Sequence, residues 1–240
     1  YNYGRQLNPT VTALQKRITQ MEEGIASVAF STGMAAISST LLSLLKEDDH
    51  IISSAFLFGN TNSFFGTLQK LGIEVTFVDA TEARFVENAI QKNTKLVFVE
   101  TIANPVTQVA DLKAIGQLCK TKNLIYCVDN TMTSPCLFLP KSVGASLIVN
   151  SLTKYIGGHG NALGGAITDT GLYNWSSFEN IYDTYRNEEP ELWGITQIKK
   201  KGLRDMGASL GPEAAHHLAI GSETLSLRIK KACKNALALA

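Results

Sequence analysis

The sequence predicts an α/β fold, a mostly parallel sheet sandwiched by helices. Three observations point to it. Short apolar runs at residues 25–30, 95–100, 124–129 and 145–150 read as buried strands. Between them, apolar residues recur at helical spacing, as with Leu112, Ile115 and Leu118. The chain has 240 residues, 45% of them hydrophobic, enough for a sizeable core. There is no internal repeat and no low-complexity segment.

In chain order, Asn8-Pro9-Thr10 starts a helix, because asparagine caps and proline suits the first helical position. Val11, Leu14, Ile18 and Met21 share its apolar face. Strand 25–30 leads into Ser31-Thr32-Gly33-Met34 and a helix ending near Leu45. Strand 50–53 leads into Phe58-Gly59-Asn60-Thr61 and a helix to about Leu71. A strand at 73–79 and a helix at 82–91 follow. Strand 95–100 ends at Glu100, with Asn104-Pro105 in the loop beyond. Helix 111–122 precedes strand 124–129, which ends at Asp129 before Asn130-Thr131. Strand 145–150 opens into Ser151-Leu152-Thr153-Lys154 and the glycines beyond. A strand at 164–168 comes next. Residues 171–194 are polar and aromatic-rich, with charge clustered at 186–191, and read as the least structured stretch. Helix returns over 196–206, breaks at 207–212, and resumes from Ala214. Residues 222–240 form an amphipathic pattern without a stop signal, so the chain is expected to be a piece of a longer one.

Composition excludes several classes. The formal net charge is +1, with 18% charged residues, which gives no electrostatic case for nucleic acid or an anionic membrane. No stretch approaches membrane-spanning length, and residues 1–10 contain no apolar signal region. Cys119, Cys127, Cys136 and Cys233 form no C-x-x-C pair, which argues against a metal cluster or a disulfide framework. They read as reduced thiols of a cytoplasmic protein.

The candidate site gathers at strand ends, where open α/β sheets bind ligands. Lys154 sits just past a buried strand, flanked by the hydroxyls of Ser151 and Thr153. An amine there can form a Schiff base with an aldehyde cofactor while the hydroxyls hold its phosphate. The turn at Gly33 and Met34 opens a helix, a natural anion cradle. It has neither the dinucleotide glycine fingerprint nor a P-loop. Asp129 is an acid at the end of a buried strand, costly unless paired; a protonated ring nitrogen would pair it. Phe58 can stack on a planar ring, and Arg5 can grip a phosphate or carboxylate. Each also has an ordinary reading: a solvated lysine, a helix cap, a structurally paired acid, a core aromatic, a surface arginine.

Taken together and in order, these positions resemble the Cys/Met-metabolism group of pyridoxal-phosphate enzymes, including cystathionine synthases and lyases, methionine γ-lyase and O-acetylhomoserine sulfhydrylase. Six motifs carry the resemblance: Tyr3-Gly4-Arg5 with Asn8-Pro9-Thr10; Ser31-Thr32-Gly33-Met34; Phe58-Gly59-Asn60-Thr61; Glu100 with Asn104-Pro105; Asp129-Asn130-Thr131; and Ser151-Leu152-Thr153-Lys154-Tyr155. The resemblance covers nearly the whole chain. It implies the large domain of a type I pyridoxal-phosphate-dependent transferase, aspartate aminotransferase-like, over residues 1–210, with an N-terminal arm at about 1–10. Residues 211–240 would be a linker helix towards a C-terminal domain. The implied cofactor is pyridoxal 5′-phosphate, bound through Lys154, with Asp129 on its ring nitrogen and Asn104 near its phenolic oxygen. Gly33, Met34, Ser151 and Thr153 would take the phosphate, and Phe58 the ring face. Tyr3 and Arg5 would reach the cofactor of a neighbouring subunit, in a homo-oligomer that is a dimer of dimers. No metal is implied.

Two departures narrow the expectation. Most members carry a tyrosine where this chain has Phe58, and phenylalanine cannot move a proton. That favours a substrate with a good leaving group, an O-acylated homoserine, over one losing a thiol. After His159, Gly160-Asn161 within GHGNALGG resembles O-acetylhomoserine sulfhydrylases, as do residues 171–175. The segment between Trp175 and Leu203 looks shorter than in that group, so residues are expected to be missing near 176–203. The implied reaction is γ-replacement, with sulfide or a thiol displacing acetate. A γ-lyase or cystathionine γ-synthase is the alternative within the family. A nucleotide-binding oxidoreductase and a non-catalytic binding protein are the alternatives outside it. The family's arginine for the substrate carboxylate matches no residue here, and His159, His216 and His217 take no role.

Overall fold

The computed structural model describes residues 3–187 and 189–240. Tyr1 and Asn2 of the arm and Glu188 of the charge cluster lie outside the described residues. Helix α1 (Pro9–Met21) begins as the sequence predicts: Asn8 accepts the Thr10 N–H, with proline in the first turn. Strand β1 (Ala26–Phe30) leads to α2 (Gly33–Leu44), and β2 (His50–Ser54) to α3 (Gly59–Lys70). The alternation continues through β3 (Glu74–Val78), α4 (Ala83–Asn88), β4 (Thr94–Glu100), α5 (Leu112–Lys122) and β5 (Ile125–Asp129). A short helix α6 (Ser134–Leu137) and a 3₁₀ turn precede β6 (Leu147–Asn150) and β7 (Gly165–Asp169).

The strands form one sheet in the order β1-β7-β6-β5-β4-β2-β3. Strands β2 to β6 are mutually parallel where they pair, while β7 runs antiparallel to both β1 and β6. The reversal has a simple cause. Parallel neighbours need a crossover, usually a helix, and the segment between β6 and β7 contains no α-helix. That segment carries Lys154.

The sheet is covered on both faces. Along β4, Leu96 and Phe98 point into one core with α2 and α3; Val97 and Val99 point into the other with α5, as the period of two requires. A third cluster joins α1 to the later helices α8 (Pro212–Glu223) and α9 (Leu225–Leu239) through Leu14, Ile18, Ala215, Leu218, Leu225 and Ile229. The stretch 211–240 therefore divides: α8 and the start of α9 pack on the core, while Leu237 and Leu239 are exposed.

The region 171–194, read from sequence as the least structured, is compact. Tyr173, Trp175 and Phe178 pack edge to face. Trp175 is fully buried and donates from Nε1 to the buried Asp169 at 2.8 Å. The following helix, α7 (Trp193–Gln197), continues as a π-helical stretch, Ile198–Asp205.

Candidate active site

A cavity of about 890 Å³ opens at the carboxyl ends of β4, β5 and β6, within the size range of small-molecule sites. Eight of the ten residues singled out from sequence line it: Gly33, Met34, Phe58, Asn104, Asp129, Ser151, Thr153 and Lys154. Parallel strands explain the convergence, since the segments leaving β4, β5 and β6 all emerge on one rim. Tyr3 and Arg5 are the exceptions. Arg5 donates to the Tyr3 hydroxyl at 3.1 Å and to the Arg204 carbonyl at 2.5 Å, and both side chains are exposed away from this cavity.

Each wall has a local reason. Helix α2 is capped by Thr32, whose hydroxyl accepts the Ala35 N–H at 3.0 Å. The first N–H groups of a helix have no partner within it, so those of Gly33 and Met34 remain for a ligand. Glycine is needed at 33 because a Cβ there would stand 2.8 Å from the Ser151 Cβ. The start of α2 and the Ser151 turn thus form a tight cradle for an anion.

Asp129 lines the same cavity at the end of β5. Its Oδ1 accepts the Thr131 N–H at 2.9 Å, and Thr131 Oγ1 in turn accepts the Ser151 N–H at 2.8 Å. Burial pushes the Asp129 carboxyl above its usual range, opposed by the bonds from Thr131. A cation facing the cavity would favour its ionised form. Thr153 is held differently: its hydroxyl exchanges hydrogen bonds with the backbone of Gly164, at 3.2 and 3.0 Å. Lys154 is exposed to the cavity.

Three residues that the sequence reading left without roles stand out. Glu100 lies beside Asp129 in the sheet register. Its two oxygens accept the backbone N–H groups of Phe58 at 2.7 Å and Asn104 at 3.1 Å. Glu22, fully buried, accepts the side-chain amides of Asn130 at 3.0 Å and Asn150 at 2.6 Å. Arg228 of α9 reaches the cavity wall. Only the position of Glu100 at a strand end hinted at its part. Glu22 and Arg228 act across the chain, where no spacing rule reaches.

The residues suit a phosphorylated aromatic aldehyde: an amine for the carbonyl, a half-buried carboxylate for a ring cation, and a glycine-tight cradle for the phosphate. The comparisons agree. The sequence matches the family described as Cys/Met metabolism PLP-dependent enzyme over residues 1–240. The chain belongs to that family. An L-methionine gamma-lyase of Fusobacterium nucleatum subsp. polymorphum is 41% identical over 239 residues, covering 98% of this chain and 55% of the relative. Among solved structures, the O-acetylhomoserine sulfhydrylase of Wolinella succinogenes superposes with a TM-score of 0.90 at 38% identity. It covers 97% of this chain and 67% of the other. A putative O-acetylhomoserine (thiol)-lyase from Campylobacter jejuni gives 0.91 at 32% identity, covering 99% and 62%, and that protein carries a pyridoxyl-lysine monophosphate. These likenesses establish the type I fold and pyridoxal phosphate as the family's cofactor. The chain spans about half the length of the curated relatives it matches. Among the described residues no group of three or more potential ligands could hold a metal ion, and no helix is long and apolar enough to cross a membrane.

Proposed function

We propose that this chain is the cofactor-binding part of a pyridoxal-phosphate-dependent transferase acting on an O-acylated homoserine. Sulfide or a thiol would displace the acyl group to give homocysteine or methionine. The observation that carries the reading is the composition of one cavity wall: Lys154 and Asp129 line a space into which Phe58, tied by its N–H to Glu100, brings an aromatic ring without a hydroxyl.

Bound pyridoxal 5′-phosphate supplies an electron sink that acidifies the Cα proton of an amino acid. Lys154 would be the covalent anchor, and its freed amine would take the proton from Cα, give it up to the bound cofactor, and only then take one from Cβ. Asp129 would hold the positive charge of the ring nitrogen. The Gly33 and Met34 amides and the Ser151 hydroxyl would bind the phosphate, with Thr153 bracing the turn through Gly164. Phe58 would cover the ring, and Asn104 would stand near its phenolic oxygen. A carboxylate leaves Cγ with its electron pair and needs no proton from the wall. Tyr3 and Arg5, exposed on one face, would serve the cofactor of a second subunit in a dimer of dimers, in the cytoplasm. Residues 1–210 are the cofactor domain, and 211–240 lead towards a C-terminal domain that binds the substrate carboxylate.

The 41% identical methionine gamma-lyase favours a second reading, elimination. Product analysis separates the two. Protein loaded with cofactor and given O-acetylhomoserine plus sulfide should yield homocysteine and acetate. Ammonia and 2-oxobutanoate as the main products, from methionine above all, would establish the lyase instead.

A further inference from the structure

The geometry points to Arg228 as a positioning residue that fixes the Lys154 turn from α9. The inference rests on the reading of Lys154 as the cofactor-bearing lysine. The turn is tight: the Gly157 N–H donates to the Leu152 carbonyl at 2.8 Å, and the Gly158 N–H to the Lys154 carbonyl at 2.7 Å. Such a turn leaves carbonyls at its end without helical partners. Arg228 supplies them. Its Nη1 donates to the Tyr155 carbonyl at 2.7 Å and its Nη2 to the Ile156 carbonyl at 3.2 Å. The same guanidinium ties back to its own elbow, with Nη2 to the Gly221 carbonyl at 2.8 Å and Nε to Thr224 Oγ1 at 2.9 Å.

Four acceptors are what the forked guanidinium can serve and a lysine ammonium, with three donors, cannot. The cation also sits at the carbonyl end of the turn, where positive charge is favourable. Among the described residues the ion pairs include no carboxylate partner for Arg228, so its hydrogen bonds go to neutral oxygens.

The approach is at backbone distance. A Cβ at Gly158 would stand 2.0 Å from Arg228 Nη1, and the residue has φ +71°. A Cβ at Gly221 would stand 2.0 Å from the Gly157 carbonyl oxygen. The α8–α9 elbow thus grips the peptide units that immediately follow Lys154. A small shift of a reacting amine costs rate steeply, so the grip decides how quickly Lys154 meets an aldehyde.

The test uses the protein without added cofactor, then with pyridoxal 5′-phosphate. Hydrogen exchange is read at the amides of Gly157 and Gly158. Capture is read as the rate of borohydride-trapped label at Lys154, by mass spectrometry. Arg228→Lys should raise exchange at both amides at least tenfold and slow capture at least tenfold, with exchange in β5 unchanged. Gly158→Ala, which drives the guanidinium aside but keeps it in the chain, should do the same. The two together should be no worse than either alone, as expected of one coupled contact. Faster exchange with unchanged capture makes Arg228 a structural cap and overturns the proposal, as does unchanged exchange. Wild-type protein that takes label at other lysines but not at Lys154 instead overturns the cofactor reading on which the proposal stands.

Discussion

The carboxylate of Glu100 accepts the backbone N–H of Phe58 at 2.7 Å, tying the start of α3 to the end of β4. Its second oxygen takes the Asn104 N–H at 3.1 Å. One buried acid therefore sets two cavity walls. Burial, then the neighbouring Asp129 charge, pushes its carboxyl up to about 7, and the two N–H donors pull it back. Glu100→Gln places an amide donor against one of those N–H groups. A buried donor left unpaired costs about 1–3 kcal/mol, or a melting temperature lower by roughly 2–12 °C at this chain length. Calorimetry and a cofactor titration check it; unchanged melting with unchanged affinity would show that the two loops hold themselves.

Gly33 sets the other end of the site. A methyl group at 33 would meet the Ser151 Cβ at 2.8 Å, so Gly33→Ala must separate α2 from the Ser151 turn. The affected element is the proposed phosphate cradle, not the Asp129 wall. The variant should bind pyridoxal 5′-phosphate at least tenfold more weakly, about 1.4 kcal/mol. Its affinity for unphosphorylated pyridoxal should be unchanged. Equal losses for both ligands would place the damage elsewhere.

The sequence made the strand-end site legible because parallel strands deliver their C-termini to one rim. Lys154, Asp129, Gly33 and Phe58 each followed a strand or opened a helix, and they converge on one cavity. Less visible were residues whose function is to hold others across long chain separations: Glu22 to Asn130 and Asn150, and Arg228 to Tyr155. The strand at 164–168 was legible but its antiparallel direction was not, because alternation records which elements occur, not the direction of a return that lacks a helix. Residues 171–194 looked irregular because their order comes from one buried indole and its carboxylate partner, Trp175 and Asp169, rather than from periodicity.

Glu22 gives a pH dependence with a defined sign. Burial raises its carboxyl from 4.5 to about 7, against the pull of the Asn130 and Asn150 amides. Among the described residues, its Oε2 and the Asn150 Oδ1 are buried without hydrogen-bond partners. The folded state thus holds the proton more tightly than the unfolded chain. The stabilising contribution is fully present below about pH 4.5 and is lost as pH rises through about 7. Glu22→Gln offers an acceptor and a donor without ionising. Its unfolding free energy relative to wild type should climb by about 3 kcal/mol between pH 4.5 and 8. Glu100 and Asp169 are also raised, but both are present in the two proteins and cancel in the difference. Urea titrations at the two pH values read it directly, and a constant difference would mean that Glu22 is ionised throughout.

Phe58 tests the proposed chemistry most sharply, because its hold on the site is through the backbone. Glu100 grips the Phe58 N–H, not the ring, so the side chain can change while the wall stays in place. The ring is 40% exposed, towards the cavity, with space for a hydroxyl. A tyrosine there adds a group of pKa about 10 that can give or take a proton. An acetate leaving group gains little from that help. A departing thiolate gains more, since general acid catalysis is worth about 10²–10⁴ in rate. Phe58→Tyr should therefore raise elimination from methionine, read as ammonia and 2-oxobutanoate, by at least about tenfold, or 1.4 kcal/mol off its barrier. Turnover of O-acetylhomoserine with sulfide should stay within about threefold, a barrier change below 1 kcal/mol. If both activities move together, the missing hydroxyl does not select the leaving group, and the preference for an acyl substrate must come from beyond this wall.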